Sequence, residues 1–158
     1  MSFNWVKVYK FVNIVFRIAE ISDVKQMQVV RHLVKANTLS NPNLVPDKDV
    51  IFYIFEKGKG WVCEVEGQVV GFSIIDLREK SVWALFIDPA FAEKGIGKEL
   101  HRLMMDWYFE QTKDNVELGT ASNTRAERFY HLQGWIRVGN YPNGEVKFEL
   151  SYQRWVQG

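Results

Sequence analysis

The stretch that most constrains this chain spans residues 81–110, SVWALFIDPAFAEKGIGKELHRLMMDWYFE. Residues 81–87 form a short apolar run with β-branched and aromatic members, which reads as a buried strand. Asp88-Pro89 ends it, because proline has no N–H for a ladder and restricts the residue before it. A loop through Phe91, Ala92, Glu93 and Lys94 leads to Gly95-Ile96-Gly97. Leu100, Leu103, Met104, Trp107 and Tyr108 then recur at i, i+3, i+4, i+7 and i+8, one apolar helical stripe. A strand feeding a glycine loop that opens a helix makes an anion site. The first helical N–H groups have no intrahelical partner, and the helix dipole adds partial positive charge there. Glycine lets the backbone approach a ligand closely, and Lys94 and Lys98 flank the site with charge.

The spacing excludes two kinds of phosphate site. A nucleotide P-loop would need glycine at Ala92 and Ser or Thr at Glu99. A dinucleotide-binding turn would need a third glycine at Leu100. With 158 residues the chain suits a single domain over 1–158, with residues 1–14 as an extra N-terminal strand or arm. A net charge of +1 gives no push toward nucleic acid or an anionic membrane. No apolar run approaches the roughly 18–20 residues of a membrane span, and the N-terminal residues do not form a signal peptide. Cys63 is the sole cysteine, which excludes an intrachain disulfide framework and fits a reducing cytoplasm.

In chain order, residues 5–12 read as an extended segment and 15–19 as a first core strand. Ser22 is placed as the N-cap of a helix reaching about Asn37, with Val24, Met27, Val30, Leu33 and Val34 inward. Asn41-Pro42-Asn43 is a loop. Pro46 opens a second helix to about Lys57, stopped by Gly58. Residues 61–65 and 68–76 form a hairpin about Glu66-Gly67. After the central stretch, 116–120 is a strand, and Asn123 caps a short helix ending at Gly134. Residues 135–141 and 146–155 close the chain as strands around Pro142-Asn143-Gly144. Hairpins together with strand–helix–strand crossovers imply an α/β fold with a mixed sheet and helices on both faces.

Two signatures now stand in order. The first is Leu85-Phe86-Ile87-Asp88-Pro89 followed by Lys94-Gly95-Ile96-Gly97-Lys98; the second is Asn123-x-x-Ala126-x-x-Phe129-Tyr130-x-x-x-Gly134-Trp135. Together they resemble the GNAT superfamily of acyl-CoA-dependent N-acyltransferases. The resemblance implies a GNAT-like fold with splayed central strands, and acetyl-CoA as cosubstrate without a metal. It assigns the CoA pyrophosphate to Lys94, Gly95, Ile96, Gly97 and Lys98, and pantetheine contacts to the backbone of Phe86 and Ile87. It gives Asn123 a CoA contact and makes Tyr130 the proton donor to the departing thiolate. Free backbone donors beside the thioester would also stabilise an oxyanion. Asn123 equally suits helix capping, and Tyr130 equally suits core filling.

The chain departs from the family pattern at two places. Ala92 stands where the loop motif usually begins with Gln or Arg, and Trp83 stands about where many members carry a glutamate base. Glu79, Asp76 and Glu117 are the remaining candidates for the base. The implied reaction is direct attack of a primary amine, on a small molecule or peptide, upon acetyl-CoA. A non-catalytic acyl-CoA-binding or regulatory module is the alternative. A third reading is a structural protein that forms a homodimer, since tryptophans such as Trp5, Trp61 and Trp155 could line an acceptor cleft or a subunit interface. Cys63, His32, His101 and His131 read as structural or surface residues without metal-ligand spacing.

Overall fold

The structure, a computed structural model, describes residues 13–35 and 45–158. Its elements are β1 (Ile14–Ile18), α1 (Val24–Lys35), α2 (Asp47–Phe52), β2 (Gly58–Val65), β3 (Gln68–Asp76), β4 (Ser81–Ile87) and α3 (Ile96–Gln111). There follow β5 (Val116–Thr120), α4 (Arg125–Leu132), β6 (Ile136–Asn140), β7 (Val146–Leu150) and α5 (Tyr152–Gln157). The mixed sheet flanked by helices is as expected. The extended segment expected over residues 5–12 and the Asn41-Pro42-Asn43 loop lie outside the described residues.

Seven strands form one sheet in the order β1-β2-β3-β4-β5-β7-β6. All neighbours are antiparallel except β4 and β5, whose parallel pairing consists of one register point, Ser81 opposite Glu117. That junction follows from connectivity: α3 carries the chain from the end of β4 back to the start of β5, so the strands point the same way. Leu100, Met104 and Tyr108 of α3, with Tyr130 of α4, cover one face, against Cys63, Val70 and Ile75. Val24, Met27 and Val30 of α1, with Val50, cover the other, against Val62, Phe72, Ile74 and Ala84. Among the described residues, no helix is long and apolar enough to cross a membrane.

A bulge redirects β4. Ile74 lies opposite Ala84 but Ile75 lies opposite Val82, so Trp83 has no counterpart on β3. An extra residue breaks strict alternation. Val82, Leu85 and Ile87 therefore join the α3 side, while Trp83, Ala84 and Phe86 join the α1 side.

Three local expectations need correction. Ser22 is not the cap of α1, which is preceded by a turn of 3-10 helix over Ile21–Asp23. There the Asp23 carboxylate accepts the Glu20 N–H at 2.7 Å and pairs with Arg17 at 2.8 Å. Leu33 of α1 is exposed rather than inward. Residues 151–155 do not extend the last strand: the Ser151 hydroxyl accepts the Arg154 N–H at 3.2 Å and starts α5. A good cap outweighs the apolar run through Tyr152 and Trp155. Gly58 does end the α2 region, at the start of β2 and for a steric reason: a Cβ there would lie 1.7 Å from the Ile75 carbonyl oxygen.

Candidate active site

The glycine loop leads directly into the N-terminus of α3. Gly95 precedes α3 at φ 84°, and no side chain caps the helix. The Glu99 N–H bonds the Gly95 carbonyl at 3.2 Å, so Ile96, Gly97 and Lys98 present N–H groups without an intrahelical acceptor. The need for glycine differs between the two positions. At Gly95 the left-handed backbone imposes it. At Gly97 a Cβ would make only ordinary contacts, 3.7 Å to Ile87 and 3.8 Å to Phe129.

Below this loop β4 and β5 part. Beyond Ser81 and Glu117 no further residues of the two strands pair, so β4 stands apart from β5 up to Ile87. Phe86 and Ile87, expected to serve the pantetheine, lie in this open stretch. The bulge itself falls earlier, at Trp83. Ile87 faces the α3 side and Phe86 the α1 side.

Tyr130 is buried in a cluster with Phe129, Trp135, Phe148 and His101. Burial pushes its phenol well above the usual value, so it stays protonated throughout the physiological range. Its hydroxyl has no hydrogen-bond partner among the described residues. Asn123 is not a helix cap. Thr124 takes that role, its hydroxyl accepting the Glu127 N–H at 3.2 Å. Asn123 instead adopts φ 58° and donates its backbone N–H to Glu127 at 2.7 Å, leaving its amide side chain exposed.

On the face away from α3, a groove of about 530 Å³ follows the parting strands, lined by Glu79, Ser81, Glu117, Gly119, Tyr141 and Glu145 among others. Glu79 and Glu117, two of the three carboxylates proposed as the base, open into it. The Tyr141 hydroxyl donates to Glu117 Oε1 at 3.0 Å, and Lys147 lies 3.4 Å from Oε2. Burial and Glu117 push the Tyr141 phenol up to about 12, so it remains a donor. Asp76 does not reach the groove: it is buried, pairs with Lys57 at 2.8 Å and accepts the Glu79 N–H at 2.9 Å.

Burial pushes the Cys63 thiol up to about 11, which excludes a ready thiolate. His32 and His131 are exposed. His101 is fully buried, and burial pulls it down to about 4; its Nε2 accepts the Trp135 indole N–H at 2.9 Å. Among the described residues no cluster of His, Cys, Asp or Glu could hold a metal ion.

The sequence reading passed over Arg31 and Tyr141. A signal existed for Arg31, a charge standing one turn from Met27 and Val34 on the apolar stripe of α1. None existed for Tyr141, which meets Glu117 only through the pairing of β5 with β7.

Known proteins share this fold. The sequence model of the acetyltransferase (GNAT) family matches residues 28–135. The chain belongs to the GNAT acetyltransferase family. An uncharacterised N-acetyltransferase of Archaeoglobus fulgidus is 32% identical over 82 residues, which cover 46% of this chain and 56% of that protein. The chain thus spans about half the length of that curated relative. Among solved GNAT structures, the PaiA N-acetyltransferase of Thermoplasma acidophilum, in complex with coenzyme A, superposes with a TM-score of 0.71 at 15% identity. That match covers 89% of this chain and all of the other (100%). A Bacillus anthracis protein in complex with acetyl-CoA gives 0.68 at 18% identity, covering 88% and 99%. At these identities the structural likeness establishes the GNAT fold.

Proposed function

We propose that this chain transfers an acetyl group from acetyl-CoA to a primary amine of a small molecule or peptide. One observation carries the reading: β4 and β5 part directly beneath a helix N-terminus with three unpartnered N–H groups. These donors, with Lys94 and Lys98 beside them, suit a pyrophosphate. The edge of β4 from which β5 has parted suits the amides of a pantetheine arm, and Asn123 offers an exposed amide at the start of α4. Bound acetyl-CoA supplies an activated thioester carbon.

The remaining work falls to the protein. The carboxylates of Glu79 and Glu117 draw an ammonium into the groove, and Glu117, held by Tyr141, accepts the proton that makes the amine nucleophilic. Backbone N–H groups of the open β4 edge stabilise negative charge on the carbonyl oxygen as the amine nitrogen bonds to its carbon. The carbon–sulfur bond then breaks, and Tyr130 holds and protonates the departing thiolate. A phenol that remains protonated at every physiological pH is always ready as that donor. A panel of amines assayed for CoA release tests the reading, and Glu117→Gln should lower turnover more than it raises KM.

One feature favours the second reading, a module that binds acyl-CoA without turnover. β4 has no carboxylate, and Trp83 is instead stacked on Tyr53 with ring centroids 4.0 Å apart. Acetyl-CoA binding with no CoA release across the amine panel would establish it.

A further inference from the structure

The α1 face of the opening contains a cation that no carboxylate among the described residues neutralises. Arg31 reaches from α1 onto the bulged stretch of β4, its guanidinium carbon 5.2 Å from the Trp83 ring centroid and 5.4 Å from that of Phe86. Its Nη1 is buried without a hydrogen-bond partner. Among the described residues it forms no ion pair. Burial pulls the guanidinium below its ordinary value.

A nearby lysine shows the contrast. Lys57 lies 4.8 Å from the Tyr53 ring, on the far side of the Tyr53–Trp83 stack, and Asp76 neutralises it at 2.8 Å. Stacking on aromatic rings therefore does not replace a carboxylate for Lys57. Among the described residues Arg31 has the rings of Trp83 and Phe86, and they return only part of the cost of desolvating a charge. A half-buried guanidinium with an unpartnered Nη1 suits a planar anion that accepts through two oxygens.

We propose that Arg31 is the specificity determinant for an acceptor that has a carboxylate as well as its amine, the carboxylate docking on Arg31. This rests on the acetyltransferase reading and deepens it. The placement favours the acceptor over the donor. The loop suited to the CoA phosphates lies on the α3 side of β4, whereas Arg31 lies on the α1 side, from which a second substrate approaches the open edge. The glutamates of the groove suit the ammonium end of the same molecule.

The test is binding of matched pairs to the CoA-saturated protein by calorimetry: glycine against glycinamide, phenylalanine against phenylalaninamide, aspartate against asparagine. Loss of one charge-assisted contact corresponds to about 10- to 100-fold, so each carboxylate should bind at least about tenfold more tightly than its amide. Arg31→Gln should bring that ratio near one. Arg31→Lys, which keeps charge but loses the planar fork, should leave part of it.

Equal binding of acids and amides to the wild type overturns the proposal, as does an undiminished ratio in Arg31→Gln or, if that variant does not fold, in Arg31→Lys. A carboxylate preference found only among acyl donors, succinyl-CoA against butyryl-CoA, overturns the assignment to the acceptor. Titration of acetyl-CoA into the same samples separates the two levels. Failure of acetyl-CoA to bind sinks the acetyltransferase reading, while the acid–amide ratio in the protein alone still decides for or against Arg31.

Discussion

Burial of His101 makes a quantitative demand on how stability varies with pH. Its imidazole sits on α3 with no exposed surface, among Phe129, Tyr130, Trp135 and Trp155. Burial pulls its pKa from 6.5 to about 4. In the unfolded chain the imidazole protonates below 6.5, but in the folded chain it stays neutral until about 4. The neutral-His contribution is therefore intact above the unfolded value and is lost as pH falls from there through the folded one. At about 1.4 kcal/mol per unit, some 2 kcal/mol should be gone at about pH 5 relative to neutral pH. Urea denaturation across that interval, for wild type and His101→Gln, isolates the effect, because every other titrating group is common to both. The wild type should lose about 2 kcal/mol more than the variant. Parallel profiles would refute the reasoning, and would mean that His101 is protonated or solvated in the folded protein. The outcome bears on the site, since the same imidazole helps to enclose Tyr130.

Three further perturbations have definite expectations. Tyr130→Phe should lower turnover by about 10²-fold while leaving the affinity for acetyl-CoA nearly unchanged, and steady-state kinetics with calorimetry would show an unaltered rate if the hydroxyl has no role. Gly58→Ala should cost about 3 kcal/mol in denaturant unfolding, because its Cβ cannot be accommodated at 1.7 Å from the Ile75 carbonyl. Asp23→Asn should cost about 2 kcal/mol near neutral pH by removing the carboxylate that Arg17 and the Glu20 N–H share. The Arg17 guanidinium holds that carboxyl below its usual range. The stabilisation is therefore present above the unfolded carboxylate value and fades as pH falls through the lower folded one, so the two unfolding curves should converge only in acid.

Much of the fold could be read from pattern because pattern is local. Apolar periodicity locates α3, the Glu66-Gly67 turn between two apolar runs locates β2 and β3, and glycine with positive φ locates the turn before α3. What could not be read depends on partners remote in sequence. The bulge at Trp83 exists only relative to β3. Ser22 lost the helix start because Arg17 and the Glu20 N–H engage Asp23. Asn123 and Thr124 are adjacent residues that both suit an N-cap, Asn the better of the two, and the left-handed backbone at Asn123 gives the role to Thr124. The site divides in the same way. The glycine loop, Asn123 and Tyr130 lie in contiguous motifs, whereas the groove joins Glu79, Glu117 and Tyr141 across strands. Arg31 was visible only as a charge interrupting an apolar face.

The most direct test of the acetyl-CoA reading is calorimetric titration of acetyl-CoA, CoA and dephospho-CoA into the wild type and into a folded Gly95→Val variant. Expected is micromolar binding to the wild type, weakened at least about tenfold once the left-handed turn before α3 is disturbed. Absence of binding to every CoA species, or equal binding to both proteins, would contradict the assignment of this cleft.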